Sequence, residues 1–327
     1  MANILQPTEK NLRELRKFLF LGGIVGVPTE TVYGLAANAF DPEACSKIFE
    51  AKRRPANDPL ICHISGVEAL EQICHSNALA IRLANRFWPG PLTFVLPKKE
   101  KIPGLVTAGL DSVGVRCSAH PVFQKLVALC DFPLAAPSAN PFAYISPTTA
   151  QHVKAGLGSK IEYILDGGPC AYGVESTIVD LRDESQPRIL RYGALPTEKI
   201  EAELGRSIEK PVATTADESV QHLAPGALPK HYSPRTPLDL RGGIAPEEIQ
   251  NLSPDTAALL LSKPTQKVSA NVHWLSENGK LDEIAANLFA KLRALDESGY
   301  HRIIAEEAPE LGLGLAINDR LRRASFR

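Results

Sequence analysis

The chain is short of most features that mark a specialised class. Methionine occurs once and tryptophan twice in 327 residues, so it has little of the adaptable, Met-rich surface that promiscuous binders use. No apolar run approaches the length needed to span a bilayer. The opening MANILQPTEKNLREL is polar within a few residues and reads as neither a signal nor a transit peptide, so a cytoplasmic protein with no membrane contact is expected. Neither sign of charge is in excess: 36 Lys and Arg face 37 Asp and Glu, for a formal net charge of −1. A dedicated nucleic-acid binder usually carries a large basic surplus, so any anion site must be a local cluster. None of the six cysteines (Cys45, Cys62, Cys74, Cys117, Cys130, Cys170) forms a C-x-x-C pair. They read as free, mostly buried thiols rather than zinc ligands. The P-loop G-x-x-x-x-G-K-[ST], a helix-opening G-x-G-x-x-G, H-E-x-x-H and G-x-S-x-G are all missing. A nucleotide, if bound, must be held by scattered basic and hydroxyl side chains.

What is present is an α/β pattern long enough for two domains. A helix over 8–21 is predicted, with Thr8 as N-cap and Leu12, Leu15, Phe18 and Leu19 on one face. Helices are also expected over 42–51, VEALEQIC, ALAIRLANRFW, HPVFQKLVALC, 148–155 and TEKIEAEL. Strands are expected at GIVGV, PLICHI, LTFVLP, SVGVRC, IEYILDGG, ESTIVDL and RILRYG. Neighbouring strands lie both near and far in sequence, so residues 1–204 are expected to form a sheet of mixed direction. Residues 205–237 are rich in Pro, Ala, Ser and Thr and read as a linker. Residues 238–327 alternate strands (LDLRG, TAALLLS, NVHWLS, HRIIAEE) with helical segments, which predicts a small parallel sheet.

Five segments hold the chemistry-bearing side chains. GIVGVPTETVYGL begins as a buried strand and then breaks into Thr29, Glu30, Thr31 and Tyr33. In AKRRPANDPLICHI, three cations precede Asp58 and His63; helix capping accounts for one or two, and an anion site would use all of them. Arg116 lies inside the apolar VGVRCSAHP and so needs a partner, either a structural carboxylate or a ligand carboxylate or phosphate. In APSANPFAYISPTTA, Ser146 before Pro147 suits an N-cap, whereas Ser138 and Asn140 lack so ready a structural reason. DGGPCAYGVESTIVDL repeats the hydroxyl–carboxylate theme at Glu175, Ser176 and Thr177. APGALPKHYSP adds Lys230, His231 and Tyr232 within the linker, and Arg320, Arg322 and Arg323 form a basic cluster in the tail, suited to partner docking or simple solvation.

Taken in order, PTETVYGL, AKRRP with PLICHI, FWPGPLTFVL, VGVRCSAHP, APSAN with SPT, DGG with GVESTIVD, ILRYGAL, APGALPKHYSP and GLGLAINDRLRRAS resemble the YrdC-like family of threonylcarbamoyl-AMP synthases in its long two-domain form. The resemblance covers essentially the whole chain. It implies a YrdC-like twisted mixed sheet with helices, followed by a small Rossmann-like parallel α/β domain. It also implies synthesis of L-threonylcarbamoyl-AMP from ATP, L-threonine and bicarbonate or CO2, with release of pyrophosphate. Downstream tRNA threonylcarbamoyl transfer proteins would then receive the product, with room for weak tRNA binding. The family's signature falls on Lys52, Arg54, Ser138 and Asn140, with Lys52 and Arg54 as catalytic cations. Its threonine pocket falls on Thr31, His63, Arg116, Ala136 and Ser176. Its ATP contacts fall on Arg54, Asp58, Ser112, Ser138, Ser146, Arg191 and Tyr232, with Mg2+ accompanying the nucleotide. The order Asn57-Asp58 departs from the family's usual Asp-Asn. In this picture Tyr232 closes over the nucleotide from the linker. The rival reading is an RNA-binding module, a tRNA or rRNA chaperone with a basic concave sheet; the near-neutral charge argues against it.

Overall fold

Thr8 caps the first helix, Glu9–Phe20, its hydroxyl accepting from the Asn11 N–H at 3.2 Å; Leu12, Leu15 and Leu19 form the buried stripe. The computed structural model describes residues 1–211, 223–226 and 230–326. Ten strands make one sheet: β1 (Asn3–Leu5), β2 (Val25–Val27), β3 (Gly34–Asn38), β4 (Ile61–His63), β5 (Leu92–Pro97), β6 (Ser112–Arg116), β7 (Leu134–Ala135), β8 (Tyr163–Leu165), β9 (Thr177–Asp180) and β10 (Arg188–Arg191). Their order is β1-β8-β2-β3-β7-β4-β6-β5-β9-β10. Pairs such as β4–β6 and β5–β9 are parallel while β2–β3, β3–β7 and β5–β6 are antiparallel, which is the mixed sheet expected.

Alternation along the strands fills both faces of this sheet. Leu35 and Ala37 join a core with Ile48, Phe49, Leu83 and Val153 of the covering helices. Val25, Val27 and Ala36 face the opposite way, into a core with Leu12, Leu15, Phe123 and Leu126. Five of the six cysteines are buried and all six are free.

Two local details differ from expectation. VEALEQIC forms only a 3-10 turn over Val67–Gln72, because Gly66 at its start offers no side chain to cap it. The helix Ala150–Leu157 is capped by Thr149, whose hydroxyl accepts from the His152 N–H at 3.2 Å, and not by Ser146. After the helix Thr197–Leu204 the chain stays packed on the first domain: Ile208 is buried in its core, and Ile189 N–H donates to the Glu209 carbonyl at 2.8 Å. Parts of the 205–237 linker, at 212–222 and 227–229, lie outside the described residues.

The second sheet contains β11 (Leu238–Arg241), β12 (Thr256–Ser262), β13 (Val272–Ser276) and β14 (Arg302–Glu306), ordered β11-β14-β12-β13 with every pairing parallel. One face carries the helices Leu281–Glu297 and Leu313–Ser325. The core on that face is not private to the domain. Val32, Ile145, Val174, Ala194 and Tyr232 pack into it beside Leu288, Phe289 and Leu321. Gly173, at φ +69°, permits the approach: a Cβ there would sit 2.3 Å from the Ala285 carbonyl oxygen of the facing helix.

Candidate functional site

Register brings the polar ends of six strands to one edge. His63 lies opposite Arg116 across β4 and β6, and Arg116 lies opposite Thr93 across β6 and β5. Leu92 pairs with Thr177, which places Ser176 beside the same edge. Ala135 pairs with Cys62, and Ala136 N–H donates to the Ile61 carbonyl at 2.9 Å. The loop 137–147 is stitched to β3 by Leu35 N–H to the Pro137 carbonyl (2.8 Å) and Tyr33 N–H to the Pro147 carbonyl (2.8 Å). Gly34 makes this possible, since a Cβ would lie 3.3 Å from the Ala136 methyl and 3.4 Å from the Pro137 oxygen.

Around this edge lies a narrow cavity of about 50 Å³. Nine of the residues that the family resemblance assigned to the site line it: Thr31, Arg54, His63, Arg116, Ala136, Ser138, Ser176, Arg191 and Tyr232. Thr29, Val32, Gly34, Glu175, Pro225, Gly226 and His231 complete most of the wall.

The floor is a buried ion-pair network. Arg116 Nη2 sits 2.6 Å from Glu30 Oε1, and its Nη1 donates to Thr31 Oγ1 at 2.9 Å. Thr31 and Thr29 share a hydrogen bond of 2.9 Å, and Ser118 donates to the other Glu30 oxygen. Burial opposes the Glu30 charge, but Arg116 and Ser118 outweigh it and hold the carboxyl below its usual range. His63, buried next to Arg116, is pushed down to about 3, first by burial and then by that guanidinium, so the ring is neutral. Ser176 Oγ lies 2.8 Å from Thr93 Oγ1 and accepts from Arg191 Nη2 at 3.2 Å.

The cations differ in how they are held. Arg54 pairs with Asp58 at 2.9 Å and donates to the Asp58 and Pro59 carbonyls. The Asn57-Asp58 order therefore supplies a buried counter-charge within the site. Arg191 donates to the Ser176 and Pro225 carbonyls and to the Ser176 hydroxyl, and forms no ion pair among the described residues.

The remaining predicted residues stand off the cavity wall. Lys52 is fully buried, with Nζ 2.6 Å from the carbonyl oxygens of both Ser138 and Asn140. Burial, then Arg54, push its pKa well below the usual lysine value. Lys52 thus grips the backbone of the S-x-N segment from behind instead of lining the hollow. Asn140 donates to the Pro141 and Tyr144 carbonyls and fixes the same loop. Ser112 is buried at the start of β6, and Asp58 is engaged by Arg54. Ser146 donates to Glu175 Oε1 at 2.6 Å. Glu30 and Glu175 stand out in the sequence as polar side chains, but their pairing with Arg116 and Arg320 does not. Sequence reasoning read Arg320 as a surface charge, whereas Arg320 is wholly buried and pairs with Glu175 Oε2 at 2.8 Å. Only the hydroxyl–carboxylate theme shared by residues 29–31 and 175–177 hinted at the two glutamates.

Residues 17–193 match the family described as "Telomere recombination", and residues 195–325 match "Threonylcarbamoyl-AMP synthase, C-terminal domain". A threonylcarbamoyl-AMP synthase of Pyrococcus abyssi is 42% identical over 336 residues, covering 99% of this chain and 97% of the relative. The chain belongs to the threonylcarbamoyl-AMP synthase family. A Bacillus subtilis family member is 40% identical, covering 98% of this chain and 94% of its own length. The crystal structure of a P. abyssi member complexed with L-threonine superposes with a TM-score of 0.91 at 41% identity, covering 99% of this chain and 98% of that one. Membership decides for the enzyme over the RNA-binding module. No helix among the described residues is long and apolar enough to cross a membrane.

Proposed function

We infer that this chain catalyses ATP-dependent synthesis of L-threonylcarbamoyl-AMP from L-threonine and bicarbonate or CO2, releasing pyrophosphate, as the first step of N6-threonylcarbamoyladenosine formation in tRNA. The observation that carries this reading is one cavity that gathers Arg54, Arg116, Ser138, Ser176 and Arg191 from segments far apart in sequence. The threonine bound by the P. abyssi relative supports the amino-acid half.

The chemistry asks little of covalent catalysis. The neutral threonine amine adds to CO2 and gives up a proton, or condenses with bicarbonate and releases water, to give a carbamate. A carbamate oxygen then attacks the α-phosphorus in line, and pyrophosphate leaves. Both reacting partners are anions, so fixed cations and donors lower the barrier by position and field. Arg116, oriented by Glu30 and Thr31, is assigned to the threonine carboxylate. Thr31 and Ser176 read the small polar substrate. His63 presents a ring nitrogen without adding charge. Arg191, free of a carboxylate partner among the described residues, and Arg54 are assigned to the triphosphate, with Ser138 beside them. Lys52 holds the Ser138–Asn140 backbone at this wall. Mg2+ is expected to enter with ATP. Glu175 on the cavity wall is committed to Arg320, and Glu30 and Asp58 are committed to the cavity-lining Arg116 and Arg54, which leaves phosphate oxygens and water to hold the ion.

A cavity of about 50 Å³ is small beside the roughly 300–1,000 Å³ of ordinary ligand clefts. Pro225, Gly226, His231 and Tyr232 occupy the remaining side. ATP entry therefore requires this stretch to move, and its return would shield the labile adenylate from water. A cytoplasmic setting, with product handed to tRNA-modifying proteins, fits the free buried thiols.

The test is pyrophosphate release with ATP, threonine and bicarbonate omitted in turn. Only the complete mixture should turn over. Release that ignores threonine would contradict the reading. Serine should be discriminated modestly, by about 1–3 kcal/mol, because a single methyl separates it from threonine.

A further inference from the structure

We propose that Arg320, on the last helix Leu313–Ser325, is a positioning residue for the nucleotide half of this reaction: it fixes Glu175 against Ser146 and, with Phe289, forms the slot that seats Tyr232 at the cavity. The proposal rests on the synthase reading and adds a role for the second domain that the family's ligand contacts do not include.

The geometry is a continuous relay. Arg320 Nε lies 2.8 Å from Glu175 Oε2, and Glu175 Oε1 accepts from Ser146 Oγ at 2.6 Å. Arg320 Nη1 donates to the Tyr192 carbonyl at 2.8 Å and to Asp319 at 2.7 Å, which pins the guanidinium from both sides. Its carbon lies 5.2 Å from the Tyr232 ring centroid, and Phe289 stacks on that ring at 5.5 Å with 25° between planes. Glu175 and Tyr232 both line the cavity. Side chains of the C-terminal domain thus take part in orienting both, together with Ser146 on Glu175 and His231 against Tyr232. Burying a guanidinium is costly unless it is paired, and two hydrophobic residues of similar volume would seal an interface as well. A charge retained here is better explained by placing a partner than by sealing the interface. Two atoms of the cluster, Arg320 Nη2 and Tyr232 Oη, are also buried with no hydrogen-bond partner among the described residues. The group has bonding capacity that the described residues leave unused.

The experiment compares Arg320→Met, Arg320→Lys, Glu175→Gln and the double variant R320M/E175Q with Arg302→Met. Arg302 pairs with Asp239 on the surface of the second domain and serves as the control. Calorimetry gives the Kd for an α,β-methylene analogue of ATP, and steady-state pyrophosphate release gives KM for ATP and for threonine. Arg320→Met is expected to raise the analogue Kd and the ATP KM about tenfold while moving the threonine KM less than about threefold. Glu175→Gln should act in the same direction, the double variant should be no worse than Arg320→Met, and Arg320→Lys should recover part of the loss. An analogue Kd and ATP KM within about twofold of the parent, with only the melting temperature lowered, would overturn the proposal. So would equal losses for threonine and ATP. If Arg320→Met does not fold, Glu175→Gln decides alone, and an unchanged Kd there refutes the relay. A parent that binds the analogue but makes no threonine-dependent pyrophosphate would sink the reaction and leave the relay standing on the binding data.

Discussion

The two halves of the cavity are built on different principles. The half assigned to threonine is made of strand ends of a single sheet: Thr31 after β2, His63 on β4, Arg116 on β6 and Ser176 before β9. Its charges are internally balanced, with Glu30 against Arg116 and His63 held neutral. The half assigned to the nucleotide is assembled from Arg191, from Pro225, Gly226, His231 and Tyr232, and from the second domain, through Glu175–Arg320 and Phe289–Tyr232. Backbone hydrogen bonds fix the first half. The second depends on side-chain contacts between elements distant in sequence, and it is the half that the proposed reaction requires to open for ATP. One enzyme thereby combines a small preorganised pocket with a site that must admit and enclose a much larger anion.

That contrast can be broken at several points. Arg116→Ala should have the largest effect. It strands Glu30 in the interior, costing roughly 3–5 kcal/mol of stability, and lowers kcat/KM for threonine by about 100-fold or more. Adding Glu30→Ala should recover stability in denaturant titrations without recovering activity. Next, Lys52→Met leaves the Ser138 and Asn140 carbonyls without their donor, for a loss of roughly 2–3 kcal/mol in the same titrations. A variant with full stability but no turnover would instead assign Lys52 directly to substrate.

Acid should act third. His63 titrates at about 3 in the folded chain against about 6.5 unfolded. The unfolded state therefore binds the extra proton between those values, and stability present above about pH 6.5 is lost progressively as the pH falls toward 3. The slope is at most about 1.4 kcal/mol per pH unit for this group. His231 adds to it in the same direction, because burial and then Arg54 and Lys52 push its pKa well below the ordinary value. Melting temperatures from pH 7 to pH 5 should fall less steeply in His63→Gln. Tyr232→Phe should have the smallest effect: the hydroxyl has no partner among the described residues, so stability should move by less than about 1 kcal/mol. Its ATP KM then reports whether that hydroxyl meets the nucleotide.

Much of the first half was legible in the sequence, because its residues sit in contiguous strings where a strand turns polar: PTET, ICH, VGVR, GVES. The mixed and parallel sheets were legible for a similar reason, since strand and helix periods alternate cleanly in both domains. What stayed hidden was burial and long-range pairing. Lys52 looked like a ligand cation because a string shows charge but not the two carbonyls that claim it. Ser146 looked like a cap because Ser-Pro is good local chemistry, yet Thr149 caps the helix and Glu175 takes the Ser146 hydroxyl. Arg320 sits among tail charges that read as solvated, and its partner lies 145 residues away. Only the packing of the last helix against the first domain brings the two together.

The most direct test of a single two-part cavity is a crystal structure with L-threonine and α,β-methylene ATP bound together. The threonine carboxylate is predicted on Arg116, with the triphosphate between Arg54 and Arg191 and Tyr232 closed beside it. Ligands found in separate hollows, or a triphosphate on a face that contains neither Arg54 nor Arg191, would contradict it.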